Sequence, residues 1–203
     1  MFPQMISRIT KMIAKPREYW DEMMAEPGDL KTLLVPQILI LAAIPAVSLM
    51  LGTLLGGLRF MRFGIYGRLA GGAIATGLIT YLLNIVLWWA FALIIDALAP
   101  SFGAQKNVDQ ARKLATGAII PSWVGMALHL TSIPALGALG ALAGMGFGCY
   151  LLYLGLPMMN GTPPEKAAGY TAAAAGCLLV AGLIVGAVAC IPASCCVATS
   201  VIL

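Results

Sequence analysis

The sequence predicts an all-α fold: a polytopic integral membrane protein with five transmembrane helices and N-terminal amphipathic interfacial helices. Three observations carry that expectation. Apolar runs of about 20 residues, enough to cross a bilayer core of about 30 Å as helix, alternate with short charged connections. Hydrophobic residues make up 61% of the chain and charged ones 10%, against roughly 45–50% and 25% in soluble domains. Mean hydropathy is +0.94. The 203 residues accommodate about five spans with their loops. Two regions are expected, an interfacial one over 1–30 and a five-span domain over 31–203.

The N-terminal stretch is charged and lacks the apolar core of a secretory signal, so the first span is expected to serve as the insertion signal. Met5, Ile6, Ile9, Met12 and Ile13 recur at helical spacing, with Ser7, Arg8, Thr10 and Lys11 opposite. That pattern is an amphipathic helix whose basic side suits an anionic membrane surface. Pro16 ends it and can open a second helix as its first residue. Here Glu18, Asp21, Glu22 and Glu26 face away from Trp20, Met23 and Met24. The pair reads as a packed interfacial lid or as a partner-binding surface.

Span one is expected over Gln37–Leu58, with Asp29 as a cap, Pro36 at a helix start and a kink at Pro45. Arg59, Arg62 and Arg68 then interleave with Phe60, Phe63 and Tyr66. Between two spans this is an interfacial aromatic belt rather than a nucleic-acid platform. The net charge of +4 is spread through the loops, so no nucleic-acid partner is expected.

Span two, about Leu69–Leu98, is the most polar inside. Gly72, Thr76, Thr80, Asn84, Trp88 and Asp96 recur every four or eight residues, and Thr76, Thr80 and Asn84 share one face. They are either hydrogen-bonding glue between helices or the lining of a solute path. A polar loop follows over Pro100–Lys113. Span three, Leu114–Leu130, is short and contains Pro121, and Ser122, Gly125 and the sole histidine, His129, approach one face. The Thr131–Pro134 connection permits only a tight antiparallel hairpin.

Span four, Ile133–Leu156, is uncharged. Gly140, Gly144 and Gly148 fall four apart, so they line one face and admit a neighbouring backbone. Tyr150 and Tyr153 suit the headgroup level. Pro157, Gly161, Pro163 and Pro164 are expected to break the helix, with Glu165 and Lys166 as the only charges of the turn. Span five runs from after Lys166 to about Cys190. The Gly182–Gly186 pair and the Ala172–Ala175 run favour close helix contact, within the chain or between copies. Pro192 is expected to end this helix and leave an apolar tail on the membrane. The five cysteines, Cys149, Cys177, Cys190, Cys195 and Cys196, have no CxxC spacing and read as small packing residues.

Orientation follows from the distribution of Lys and Arg. With five spans and the N-terminus inside, nine lie in inner segments and three, Arg59, Arg62 and Arg68, in outer ones. The positive-inside rule places the N-terminus in the cytoplasm and the C-terminus outside a cell (inner) membrane.

The runs YLLYLGLP (Tyr150–Pro157) and MMNGTPPEKAAGY (Met158–Tyr170) resemble the bacterial branch of the Yip1-domain family. PREYW near the N-terminus and IIPSWV at Ile119–Val124 extend the likeness over most of the chain. Gly155, Pro157, Lys166, Gly169 and Tyr170 carry the family pattern at the turn. The resemblance implies a membrane scaffold, since eukaryotic relatives associate with Rab-type GTPases in vesicle traffic. This chain lacks their DLxGP segment, so that partnership does not carry over.

No enzyme is expected: the sequence has no HExxH, nucleophile elbow or phosphate-binding glycine run. No catalytic residue, cofactor or metal site is assigned. His129, Met145, Cys149, Met158 and Met159 would suit a soft ion, but eleven methionines in so apolar a chain make proximity by chance common. The expected function is a scaffold acting through membrane lipids, a second copy or a membrane-protein partner. The alternative is a small transporter or channel using Thr76, Thr80, Asn84, Ser122 and His129 between spans two and three. Lys166 and Tyr170 are further expected to dock the acidic N-terminal helix, with burial of Trp20 and Met23 supplying most of the hold; the alternative is that Lys166 snorkels to the headgroups as an anchor.

Overall fold

A computed structural model describes residues 2–27, 31, 37–58 and 66–202. The expected cap at Asp29, the helix start at Pro36 and the arginine–aromatic loop at residues 59–63 lie outside the described residues, as do the side chains of Tyr66, Arg68, Cys190, Cys195 and Cys196. Among the described residues there are helices and no strands. These are α1 (Phe2–Ala14), α2 (Pro16–Ala25), α3 (Ala43–Leu58), α4 (Tyr66–Leu98), α5 (Val108–Gly125), α6 (Pro134–Asn160) and α7 (Pro164–Ile202). Five stretches are long and apolar enough to cross a membrane: Leu39–Gly56, Gly71–Phe102, Val108–Thr131, Pro134–Asn160 and Pro164–Ala189.

Prolines shape the spans less uniformly than their sequence positions suggest. In span one a single turn, Leu39–Leu41, precedes α3. The break falls at Ala42, because Pro45 has no N–H to return to the carbonyl of Leu41. Pro121 and Pro157 both sit inside helices. α6 therefore passes through Pro157, against expectation, and stops at Gly161, whose φ of 64° is the left-handed conformation glycine adopts freely. α7 likewise continues through Pro192 to Ile202. Prolines are tolerated inside membrane helices because neighbouring helices, hydroxyl side chains, water or a local 3-10 adjustment can serve the freed carbonyl.

Span three also begins earlier than expected. Asn107 accepts from the backbone N–H groups of Asp109 (3.1 Å) and Gln110 (3.2 Å), a side-chain cap that starts α5 at Val108. Arg112 and Lys113 are thus helical rather than part of a loop. After Gly125 the chain tightens to a 3-10 helix, Met126–Thr131, and turns at Ser132, φ 59°.

Short connections make the spans antiparallel neighbours. α4 lies in the middle, packed on α3, α5 and α7, while α6 runs along α5. Leu78, Leu82 and Val86 form an exposed row along α4, and Leu139, Leu142, Leu183 and Ile184 are exposed on α6 and α7. Such outward apolar rows suit lipid. At one end of the bundle α1 and α2 lie against α5 and α6, and beside them the connection after α4 meets the turn after α6. Lys113 Nζ donates to the carbonyls of Met24 and Glu26, and Gln105 N–H donates to Asn160 O at 3.2 Å.

Candidate functional site

The lid is a self-paired hairpin. Arg8 pairs with Glu26, Lys11 with Glu22, and Lys15 with Glu18 at 2.7 Å. The basic side of α1, expected to meet anionic lipid, is thus matched by the acids of α2. Ile6 (64% exposed) and Ile13 (60%) remain on the free edge of α1. These pairs are partly or largely solvated, so each contributes only about 0–1 kcal/mol.

What seats the lid is Trp20. Its indole is fully buried, and Nε1 donates to the backbone oxygen of Leu151 at 3.1 Å. The ring lies in a slot that only glycines leave open. A Cβ on Gly117 of α5 would stand 2.5 Å from the ring, and one on Gly155 of α6 would stand 2.7 Å from it. Tyr19 packs edge-on to the indole at 5.1 Å, and Met23 is buried with them. Burial raises the pKa of the Tyr19 hydroxyl above its ordinary value. Lys113, itself buried, supplies the polar fastening by serving the free carbonyls at the end of α2.

The lid therefore closes over α5 and α6, not over the turn before α7. Tyr170 is committed elsewhere: its hydroxyl donates to Ile95 O of α4, and its ring stacks on Phe102 at 4.9 Å with planes 4° apart. Gly169 lies beside that same ring, 3.4 Å from Phe102 Cε1 to an added Cβ. Lys166 is exposed, with Nζ near Gly103. Of the acids it was expected to meet, Glu18, Glu22 and Glu26 are paired within the lid. Gly155 belongs to the Trp20 slot and Pro157 to the body of α6.

Thr76, Thr80 and Asn84 of α4 are buried, and two tryptophans, one on each helix, bond polar side chains across the α4–α5 contact. Trp123 Nε1 donates to Asn84 Oδ1 at 2.7 Å, while Asn84 Nδ2 donates to Thr80 O at 2.8 Å. Trp88 Nε1 donates to Thr116 Oγ1 at 3.0 Å, and Thr116 in turn to Arg112 O at 2.8 Å. The hydroxyls of Thr76 and Thr80 are buried and have no hydrogen-bond partner among the described residues. Ser122 Oγ donates back to Ile119 O at 2.8 Å. His129 sits at the far end, its Nδ1 3.1 Å from Met126 O, wedged between Gly52 of α3 and Gly137 of α6. The structure thus joins Asn84 to α5 and places His129 against α3 and α6.

Gly140, Gly144 and Gly148 lie against α5. Added Cβ atoms there would stand 2.2 Å from Gly125 O, 2.2 Å from Pro121 O and 2.0 Å from Ala118 O. At Gly182 and Gly186 an added Cβ meets nothing within 4 Å. That pair makes no close contact with the described residues of this chain.

No sequence motif announced the Trp20 slot, although Trp20 lies in PREYW and Gly155 in the LGLP run. Trp123, in IIPSWV, is the other family-pattern residue whose partner the sequence did not show. Compared with known proteins, the chain matches no curated protein and no solved structure. The Yip1 domain family model matches residues 10–187, which takes in the lid's second helix, four whole spans and the fifth up to its last two residues. The chain belongs to the Yip1 domain family, as a multi-pass membrane protein.

Proposed function

We propose that the protein is a membrane scaffold, acting through contacts with lipids or other membrane proteins rather than by moving a solute. The observation that carries this is the use of its polar interior. Asn84 and Thr116 are taken up by Trp123 and Trp88, and the glycine seam brings α5 and α6 to backbone contact. A solute path needs polar groups facing water, whereas these face one another. The outward surface is apolar and the lid is held shut by a buried tryptophan.

We further propose a cell inner membrane with the lid in the cytoplasm and the C-terminus outside. Nine of the twelve Lys and Arg belong to segments at the lid-bearing end, and Arg59, Arg62 and Arg68 fall between spans one and two. One experiment addresses both proposals. Single cysteines replace Thr76, Thr80 or the exposed Gln105 in a chain whose five native cysteines have been substituted. Membrane vesicles of each orientation are then treated with an impermeant thiol reagent. Gln105→Cys should label only where the cytoplasmic face is exposed, and Thr76→Cys and Thr80→Cys from neither side. Labelling of both threonine positions would favour a water-filled path, and labelling of position 105 from outside would reverse the orientation.

A further inference from the structure

α7 is the span that this chain covers least. Of its apolar stretch, Pro164–Ala189, 17% is buried, against 28–44% for the other four spans. An open trough of about 490 Å³ runs along its outer side, bordered by Ala172, Ala173, Gly176, Cys177, Val180 and Ile184. Ala172, Ala173 and Gly176 hollow the end nearer the lid, where a Cβ added to Gly176 meets nothing within 4 Å. Val180 and Ile184 stand out at the other end. Gly182 and Gly186, the pair that the sequence singled out, lie round the helix from this face. Small outward residues let a second membrane helix approach closely. A separate feature, the charge at the start of α7, says which helix that is. Glu165 and Lys166 are both exposed, and among the described residues neither makes an ion pair. At about 100° per residue, Glu165 falls on one flank of the trough's line and Lys166 on the other.

We propose that the trough seats the α7 helix of a second copy of this chain, in a parallel two-fold pair. This rests on the contact-based role proposed above and names a partner for it. Copies inserted in one orientation present α7 in the same direction, with the Glu165–Lys166 pair of each at the same level. A two-fold interface is isologous, so one patch must complement itself. In a parallel helix pair the left flank of one helix faces the right flank of the other, the relation by which flanking charges choose partners in coiled coils. Glu165 therefore meets Lys166 of the second copy, and Lys166 meets Glu165 of the second copy. The small residues supply the close approach, and the two charges set direction and register. The chain already builds one contact of this kind internally, where Gly140, Gly144 and Gly148 admit the backbone of α5.

The test is disulfide crosslinking in native membranes, in the full chain with its five native cysteines substituted. Single cysteines replace Ala173 or Val180 in the trough. Leu78 of α4 and Leu142 of α6, 63% and 57% exposed, serve as outward-facing controls against the 57% of Val180. Copper phenanthroline should join positions 173 and 180 into a species of two chains and leave the controls single. In the Val180→Cys chain, Gly176→Leu should remove that species without lowering the melting temperature, because the new side chain enters open space within one chain. At low salt, where charges are least screened, Glu165→Lys or Lys166→Glu alone should lower the yield, and the two reversals together should restore it. No joining at the trough positions, equal joining at the controls, or a yield indifferent to the charges would overturn the pairing. So would a joined species of another mass, which would seat a different protein in the trough. A chain that stays single here yet copurifies with a protein or lipid would end the pairing and leave the contact-based role standing.

Discussion

Gly144→Leu is expected to collapse the stability of the detergent-solubilised protein, while Gly182→Leu leaves it near wild type. A single Cβ at position 144 would already stand 2.2 Å from Pro121 O and 2.5 Å from Ser122 Cα. Both are backbone atoms and cannot swing aside. Overpacking a core usually costs about 1–3 kcal/mol. A four-carbon side chain driven into a neighbouring helix should exceed the upper figure and lower the melting temperature by about 6 °C or more. The seam is continuous, since Gly140 and Gly148 meet Gly125 O and Ala118 O just as closely. At Gly182 nothing lies within 4 Å, so leucine there adds lipid-facing surface and gains helix propensity. Melting curves and elution profiles of the two variants decide it. Equal behaviour would mean that α5 and α6 are not in backbone contact.

Trp20→Ala should release the lid without melting the bundle. Removing a fully buried tryptophan costs about 3–5 kcal/mol, including the cavity it leaves. That cavity would open between Gly117 and Gly155, whose missing side chains make room for the indole. The hydrogen bond to Leu151 O goes with it. The ion pairs from Arg8, Lys11 and Lys15 join α1 to α2 and do not fasten either to the spans. Lys113 and the buried Met12, Tyr19 and Met23 would remain. Limited trypsin digestion after the exposed Arg17 reads the opening. A loss of about 3 kcal/mol corresponds to cleavage faster by about a hundredfold where opening precedes cleavage. Cleavage at the wild-type rate would mean that the lid is held by something other than Trp20.

How far the sequence led depends on how local each signal was. Five apolar runs and a glycine repeat are properties of consecutive residues, and span number and the composition of the α6 face were legible from them. Lys113 was not. Its burial depends on the carbonyls of Met24 and Glu26, 89 and 87 residues away, and a lysine beside an arginine reads as loop until those partners are seen. The basic side of α1 misled for the same reason, because its acidic partners lie on another helix. Pro157 and Pro192 looked like breakers, yet only Gly161, which can adopt positive φ, ends a helix in that region. The polar stripe of α4 could be seen, but not what it meets. Trp123 and Trp88 decide that, and indole donors leave no periodic trace.

A contact-based role is tested most directly by copurification from native membranes, with mass spectrometry of bound proteins and lipids. The expected result is at least one protein or lipid retained in fixed stoichiometry by the wild type. A chain that retains neither, yet carries solute across reconstituted vesicles with its lid intact, would contradict the scaffold assignment.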